Sequence, residues 1–206
     1  LQEKKEGWKS LFDGKSTKGW RNYRSKGIRP GWKVEQGALH LSPRAGDIIS
    51  SEKFDDFELQ LEWKISAKGN SGIFLRVSED KNQPWETGIE MQILDNKGHW
   101  NGKNPLTSAG AAYALVAPQK DNTLPVGQWN KVRIVVQGNR YQFFLNGYKT
   151  ADFDVSSSDW LKRVKNSKYK QWPQFSKNKS GHICLQDHGN KVWYRNIKIK
   201  QLSLVK

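Results

Sequence analysis

The amino-acid sequence predicts an all-β chain in which two antiparallel sheets stack as a sandwich. Apolar residues recur at every second position through almost every segment, the spacing of a strand with one buried face. Gly, Asn and Pro punctuate those segments at short intervals, and about a dozen short strands joined by such turns belong to a sandwich or barrel rather than a helical or βαβ fold. Aromatics are 12% of the 206 residues, Trp 10, Phe 8 and Tyr 6. Each ring buries ~150–250 Å², so a core can form although only 35% of the residues are apolar.

Short strands fit residues 32–34 and 38–41. Phe57-Glu58-Leu59-Gln60-Leu61-Glu62-Trp63-Lys64-Ile65 alternates strictly. Residues 73–77 and 89–94 follow, then 131–136 and 141–145 with Gly138-Asn139 as a hairpin turn between them. Asn146-Gly147 turns the chain into 148–151, and residues 182–186 and 192–199 complete the pattern. Only residues 156–165 read as a helix, a short surface piece with Ser157 or Ser158 as its cap. No repeat or linker divides the chain, so a single domain over 1–206 is expected.

The net charge is +15. Lys and Arg are spread through nearly every segment without a basic helix, which fits solubility better than nucleic acid, and no nucleic-acid partner is expected. The lone cysteine, Cys184, allows no intramolecular disulfide, which is compatible with a periplasmic location. No apolar run approaches the ~20 residues of a membrane span. The start at Leu1-Gln2-Glu3, without Met, suggests a processed or trimmed terminus.

Three segments put polar groups where a strand would bury apolar ones. In Gly88-Ile89-Glu90-Met91-Gln92-Ile93-Leu94-Asp95, the Ile and Met residues share one face, and Glu90 and Gln92 the other. Asp95 joins that second face if a one-residue bulge follows Gln92. In Gly181-His182-Ile183-Cys184-Leu185-Gln186-Asp187-His188-Gly189, His182, Cys184 and Gln186 share a face and His188 follows at the strand end. Two of the four histidines thus fall within seven residues. Imidazole moves protons near neutral pH, although spacing alone does not separate a base from a metal ligand or a structural histidine. In Asn70-Ser71-Gly72-Ile73-Phe74-Leu75-Arg76, the first three residues read as a turn, and Phe74 and Arg76 share the face that follows. The alternative is the solvent-facing side of an edge strand for the first segment, satisfied structural histidines for the second, and a turn with a surface Arg for the third.

These motifs, with Phe12-Asp13-Gly14, Gly19-Trp20, Gly127-Gln128-Trp129-Asn130 and Tyr194-Arg195-Asn196-Ile197, resemble the 3-keto-disaccharide hydrolase family from about Trp8 to Leu202. The resemblance implies a concanavalin A-like jelly roll with its site on the concave face of one sheet. It also implies a secreted or periplasmic bacterial protein, a lipid-anchored precursor being among the forms this allows. Glu90, Gln92 and Asp95 are similar in spacing to the Glu-x-Asp-x-x-Glu strand of laminarinase-like retaining glycosidases, but Gln92 cannot titrate, so that two-carboxylate mechanism does not carry over.

Elimination beside a ketone suits the set better. A C3 ketone acidifies the C2 hydrogen, so the reaction needs a base, a polariser for the enolate oxygen and a donor for the leaving oxygen. His188 or Glu90 is the candidate base, Arg76 or a bound divalent cation the polariser, and His182 or Asp95 the donor. Asn70, Gln92 and Gln186 are candidate sugar-binding residues. Trp85, His99, Trp100 and Tyr113 flank the Glu90 strand, and only Trp100 and Tyr113 are taken as site members, since Trp in a sandwich is more often core. The cation- and ring-rich stretch 160–180 is expected to form a rim loop. The leading expectation is an enzyme acting on oxidised glycosides, the alternative a non-catalytic carbohydrate-binding module.

Overall fold

The structure, a computed structural model, describes residues 6–42 and 44–203; the expected processed terminus at Leu1 lies outside the described residues. The larger sheet holds β1 (Trp8–Ser10), β3 (Trp32–Glu35), β4 (Ala38–Leu41), β6 (Phe57–Ile65), β9 (Asn130–Gln137), β10 (Arg140–Leu145), β11 (Tyr148–Asp154) and β13 (Val192–Gln201). Its order is β11-β10-β9-β6-β13-β4-β3, with β1 beside β13. The smaller sheet runs β2-β5-β12-β7-β8, from β2 (Trp20–Asn22), β5 (Ile48–Ser50), β12 (His182–Leu185), β7 (Asn70–Val77) and β8 (Ile89–Leu94). Every pairing between these strands is antiparallel. The fold is a two-sheet jelly-roll sandwich.

The period-two pattern builds the core directly. Leu59, Leu61 and Trp63 of β6 face Ile73, Leu75, Ile89, Met91, Ile183 and Leu185 of the smaller sheet, all at most 2% exposed. The smaller sheet also has a second apolar cluster on its other side, formed by Ile49, Phe74, Val77 and Cys184 with Tyr23 and Trp85 against it. A sheet face that carries its own buried cluster is covered rather than solvated.

The predicted helix is α1 (Ser158–Lys165), and Ser157 caps it, its hydroxyl accepting the Trp160 N–H at 3.2 Å. Three strands were not expected: β1, β2 and β5, each three residues long and too short for alternation to register. Asn70-Ser71-Gly72 is not a turn; it opens β7, paired with Leu94, Ile93 and Gln92 of β8. The turn lies earlier, where Lys68 takes a φ of +57°.

Arg76 departs most from its expected place. Between the pairs His182–Val77 and Cys184–Phe74, β7 spends three residue steps to two on β12, a bulge in which Arg76 has a φ of +52°. The extra residue turns the Arg76 side chain away from the Phe74 face and across to the larger sheet. There, 3% exposed, its guanidinium donates to the Asp55 carbonyl, the Gly138 carbonyl and, at 3.0 Å, the Asp56 carboxylate. Arg76 is therefore not the polariser that the sequence suggested.

This pair gives a stability test. Removing one partner of a buried, hydrogen-bonded ion pair costs ~3–5 kcal/mol. Arg76→Ala should show that loss in denaturant unfolding, while the folded fraction keeps wild-type KM. A KM change of ten-fold or more would return Arg76 to the binding site.

Candidate active site

On the smaller sheet, the residues that alternate with the core all point to the other face. Glu90 and Gln92 on β8 stand opposite Phe74 and Gly72 on β7. Gln186 follows β12, its amide bonded to the Gly72 carbonyl at 3.0 Å. Beside them is a cavity of about 230 Å³ whose floor includes Asn70, Glu90, Gln92 and Gln186 and whose walls are Trp85, Tyr113, Lys168 and His188. A larger hollow of about 690 Å³ runs along β1, β6, β9 and β13. Several of its polar side chains are already engaged, however: Glu62 with Arg195 and Asn196, and Gln60 with Glu58.

The smaller cavity contains polar groups that nothing satisfies. Oδ1 of Asn70 and Oε1 of Gln92 and Gln186 are buried without a hydrogen-bond partner, although such groups are paired as a rule. Gln92 is oriented by its other end, since Nε2 donates to the Thr107 carbonyl at 3.2 Å. Three amide oxygens beside one carboxyl suit a ligand rich in hydroxyl donors. They are also the oxygens that would meet a hard cation. Among the described residues, no three His, Cys, Asp or Glu side chains gather as a metal cluster.

Glu90 sits at the centre. It is 6% exposed, and its carboxyl lies over Gly72, where any added β-carbon would overlap Oε1. A bare α-carbon on the neighbouring strand is thus the space that holds the acid. Burial pushes its pKa up to about 8; the Lys168 cation opposes that shift and the Asp47 carboxylate adds to it. Burial thus favours the neutral form of Glu90. Lys168 is shifted down by the same burial and held up by Glu90. Its ammonium lies 4.4 Å from the centre of the Tyr113 ring. Tyr113 comes from a segment laid along the free edge of β8, its amide bonded to the Glu90 carbonyl at 3.0 Å.

The cavity therefore brings together Glu90, Gln92, Asn70, Gln186, Tyr113 and His188 from the residues singled out in the sequence. His182 has the right face but the wrong end. It pairs with Val77, beyond the Phe74–Cys184 cluster, where Nδ1 is 2.7 Å from the Ser50 carbonyl and Nε2 is 3.7 Å from Glu79. Asp95 is outside too, because the β7–β8 register runs without a bulge through Leu94. It caps a turn instead, accepting the amides of Lys68, Lys97 and Gly98. Trp100 does not line the cavity; 75% exposed, it stacks on His99.

Two wall residues were missed. Trp85 was set aside as core, and Lys168 was one of several cations in the stretch read as a rim loop. Only the fold shows which of those cations turns inward.

Two outcomes test this geometry. Because the Glu90 pKa is raised from 4.5 to about 8 in the fold, the stability tied to its protonated form is complete below pH 4.5 and lost as pH rises through 8. Glu90→Gln, neutral at every pH, should melt within a degree or two of wild type at pH 5 and above it at pH 9. The gain should be ~2–4 °C for each kcal/mol relieved; equal melting temperatures at both pH values would contradict the buried acid. Gly72→Ala should displace the carboxyl by about 1 Å and lower kcat by up to ~10²-fold, with the far-ultraviolet circular dichroism unchanged.

The profile of the 3-keto-α-glucoside-1,2-lyase-like domain matches residues 7–200. A 3-keto-disaccharide hydrolase of Bacteroides thetaiotaomicron is 31% identical, over 96% of this chain and 79% of its own. A crystal structure from Parabacteroides distasonis, of a protein classed with the glycosyl hydrolases, superposes with a TM-score of 0.92 at 32% identity, covering 98% of this chain and 97% of that one. An endo-β-1,3(4)-glucanase of family GH16 shares the fold alone, with a TM-score of 0.57 at 14% identity over 95% of this chain and 91% of that one. With a buried acid, an imidazole and an ammonium around a cavity of unsatisfied acceptors, this chain belongs to the 3-keto-α-glucoside-1,2-lyase-like family and is an enzyme of the glycoside hydrolase type.

Proposed function

We propose that the cavity cleaves glycosides whose C3 hydroxyl has been oxidised to a ketone, by elimination followed by addition of water. One observation carries this reading: Glu90 is the single carboxyl among the residues lining the cavity, and it is buried there with His188 and Lys168 beside it. Ordinary retaining and inverting glycosidases need two carboxyls flanking the bond. One acid, one imidazole and one cation are what an elimination next to a ketone requires.

His188 removes the C2 proton, and the electrons form an enolate whose oxygen faces Lys168, which takes the role first given to Arg76. The enolate collapses to a C1–C2 double bond, the C1–O bond breaks, and Glu90 protonates the departing oxygen. Water then adds at C1 of the enone, its spare proton returns to the Glu90 carboxylate, and the proton held by His188 goes back to C2. The sum is hydrolysis, with both groups restored and no oxidant consumed. Asn70, Gln92 and Gln186 accept from the sugar hydroxyls, and Trp85 and Tyr113 offer ring surfaces to its apolar face.

The test is aglycone release from a 3-keto-glucoside and from its unmodified parent. The keto substrate should turn over and the parent should not; equal rates would overturn the mechanism. Glu90→Gln and His188→Ala should each lower kcat by ~10²–10⁴-fold, and full activity in both would remove the assignment. Deuterium at C2 should slow the reaction where proton removal limits it. Trp85→Ala should act mainly on KM, by about 2–10-fold for the loss of ~0.5–1.5 kcal/mol of ring contact.

A further inference from the structure

Asp47 is a carboxylate that neither the motifs nor the cavity lining includes, yet it is bonded directly to the turn that carries His188. It lies one residue before β5. The pairs Cys184–Ile49 and Leu185–Ile48, continued by one step, place Asp47 beside Gln186 on the cavity face of the sheet. Its Oδ1 accepts the Asp187 amide at 2.7 Å. Asp187 answers in the opposite direction, Oδ2 accepting the amides of Ala45 at 2.6 Å and Gly46 at 2.8 Å. Its Oδ1 accepts the Gly189 amide at 2.9 Å. Residues 45–47 and 187–189 are thus clasped by reciprocal carboxylate–amide bonds, with His188 at the middle of the clasped turn. Gln186, on the near side of the same turn, aims a buried, unpartnered Oε1 at the cavity floor, so the clasp holds two groups that await a ligand.

We propose that Asp47 is a positioning residue of the active site, acting through the Asp187 amide to hold His188 and Gln186 at the cavity. The proposal rests on the reading of His188 as the base and adds to it the means by which an exposed imidazole keeps one place. Bonds from a backbone amide to a carboxylate are among the stronger protein hydrogen bonds, and a turn has little else to restrain it. The surroundings are consistent with a loaded contact. Burial raises the Asp47 pKa to about 6, against the pull of the Asp187 amide and with a smaller push from the Asp187 charge. Cys184 on β12, Glu90 on β8 and Tyr194 on β13 feel its charge.

The experiment is a double-mutant cycle on a 3-keto-glucoside at pH 8, in the intact chain. Asp47→Ala should lower kcat by ~10–10²-fold, as a misplaced catalytic group does, and raise KM by a smaller factor, through Gln186. Asp47→Asn, which keeps an acceptor oxygen for the Asp187 amide, should recover most of the rate. In a His188→Ala background, Asp47→Ala should cost less than about two-fold more, because the two residues act as one unit. Wild-type kcat in Asp47→Ala overturns the proposal, as does a full Asp47→Ala penalty that persists without His188. If Asp47→Ala does not fold, Asp47→Ser, too short to reach the amide, replaces it in the same cycle. His188→Ala by itself reports on the base: full activity there would overturn that reading whatever Asp47 does, and an inactive His188→Ala beside a fully active Asp47→Ala would overturn the clasp alone.

Discussion

Glu90 lies with its carboxyl over the bare α-carbon of Gly72, one strand away, and the chemistry of the site depends on that contact. A side chain at position 72 would fill the space and push the acid toward solvent. With glycine there, the carboxyl is taken out of water, and that burial raises its pKa and favours its neutral form. The neighbours then follow in kind. A neutral acid tolerates three unsatisfied amide oxygens around it better than a carboxylate would, because like poles would otherwise crowd the floor.

The same sheet separates polar groups that act from polar groups that hold. Arg76, Asp56 and Asp95 are all engaged by backbone or by each other. Asn70, Gln92 and Gln186 have buried oxygens still open. The second apolar cluster, Phe74 with Cys184, Ile49 and Val77, stands between the two ends of the face. It keeps His182, hydrogen-bonded near Ser50, apart from the cavity. Burial also raises the pKa of the Cys184 thiol well above its usual value, which leaves it a packing group with no thiolate to offer.

The surplus of positive charge has a local counterpart. Lys168 is the one cation among the lining residues of the cavity, brought there by a turn whose neighbours Tyr169 and Phe175 stack at 3.9 Å in the core. Its value to the site lies in its place beside Glu90, whose proton affinity it opposes, more than in the net charge of +15.

The sequence by itself determined the two-sheet fold, most strand positions and the face on which Glu90, Gln92 and Gln186 stand. Those depend on a local rule, the alternation of side chains along a strand, which is written in the order of residues. Where a bulge or a register intervened, the same rule could mislead: one extra residue moved Arg76 to the far side of β7, and the absence of another left Asp95 in a turn. Trp85, Lys168 and Asp47 come from segments with no alternation to read. Their places were decided only by tertiary structure, because which loop residue turns inward depends on strand neighbours far away in the chain and on which polar groups the packed sheet leaves unsatisfied.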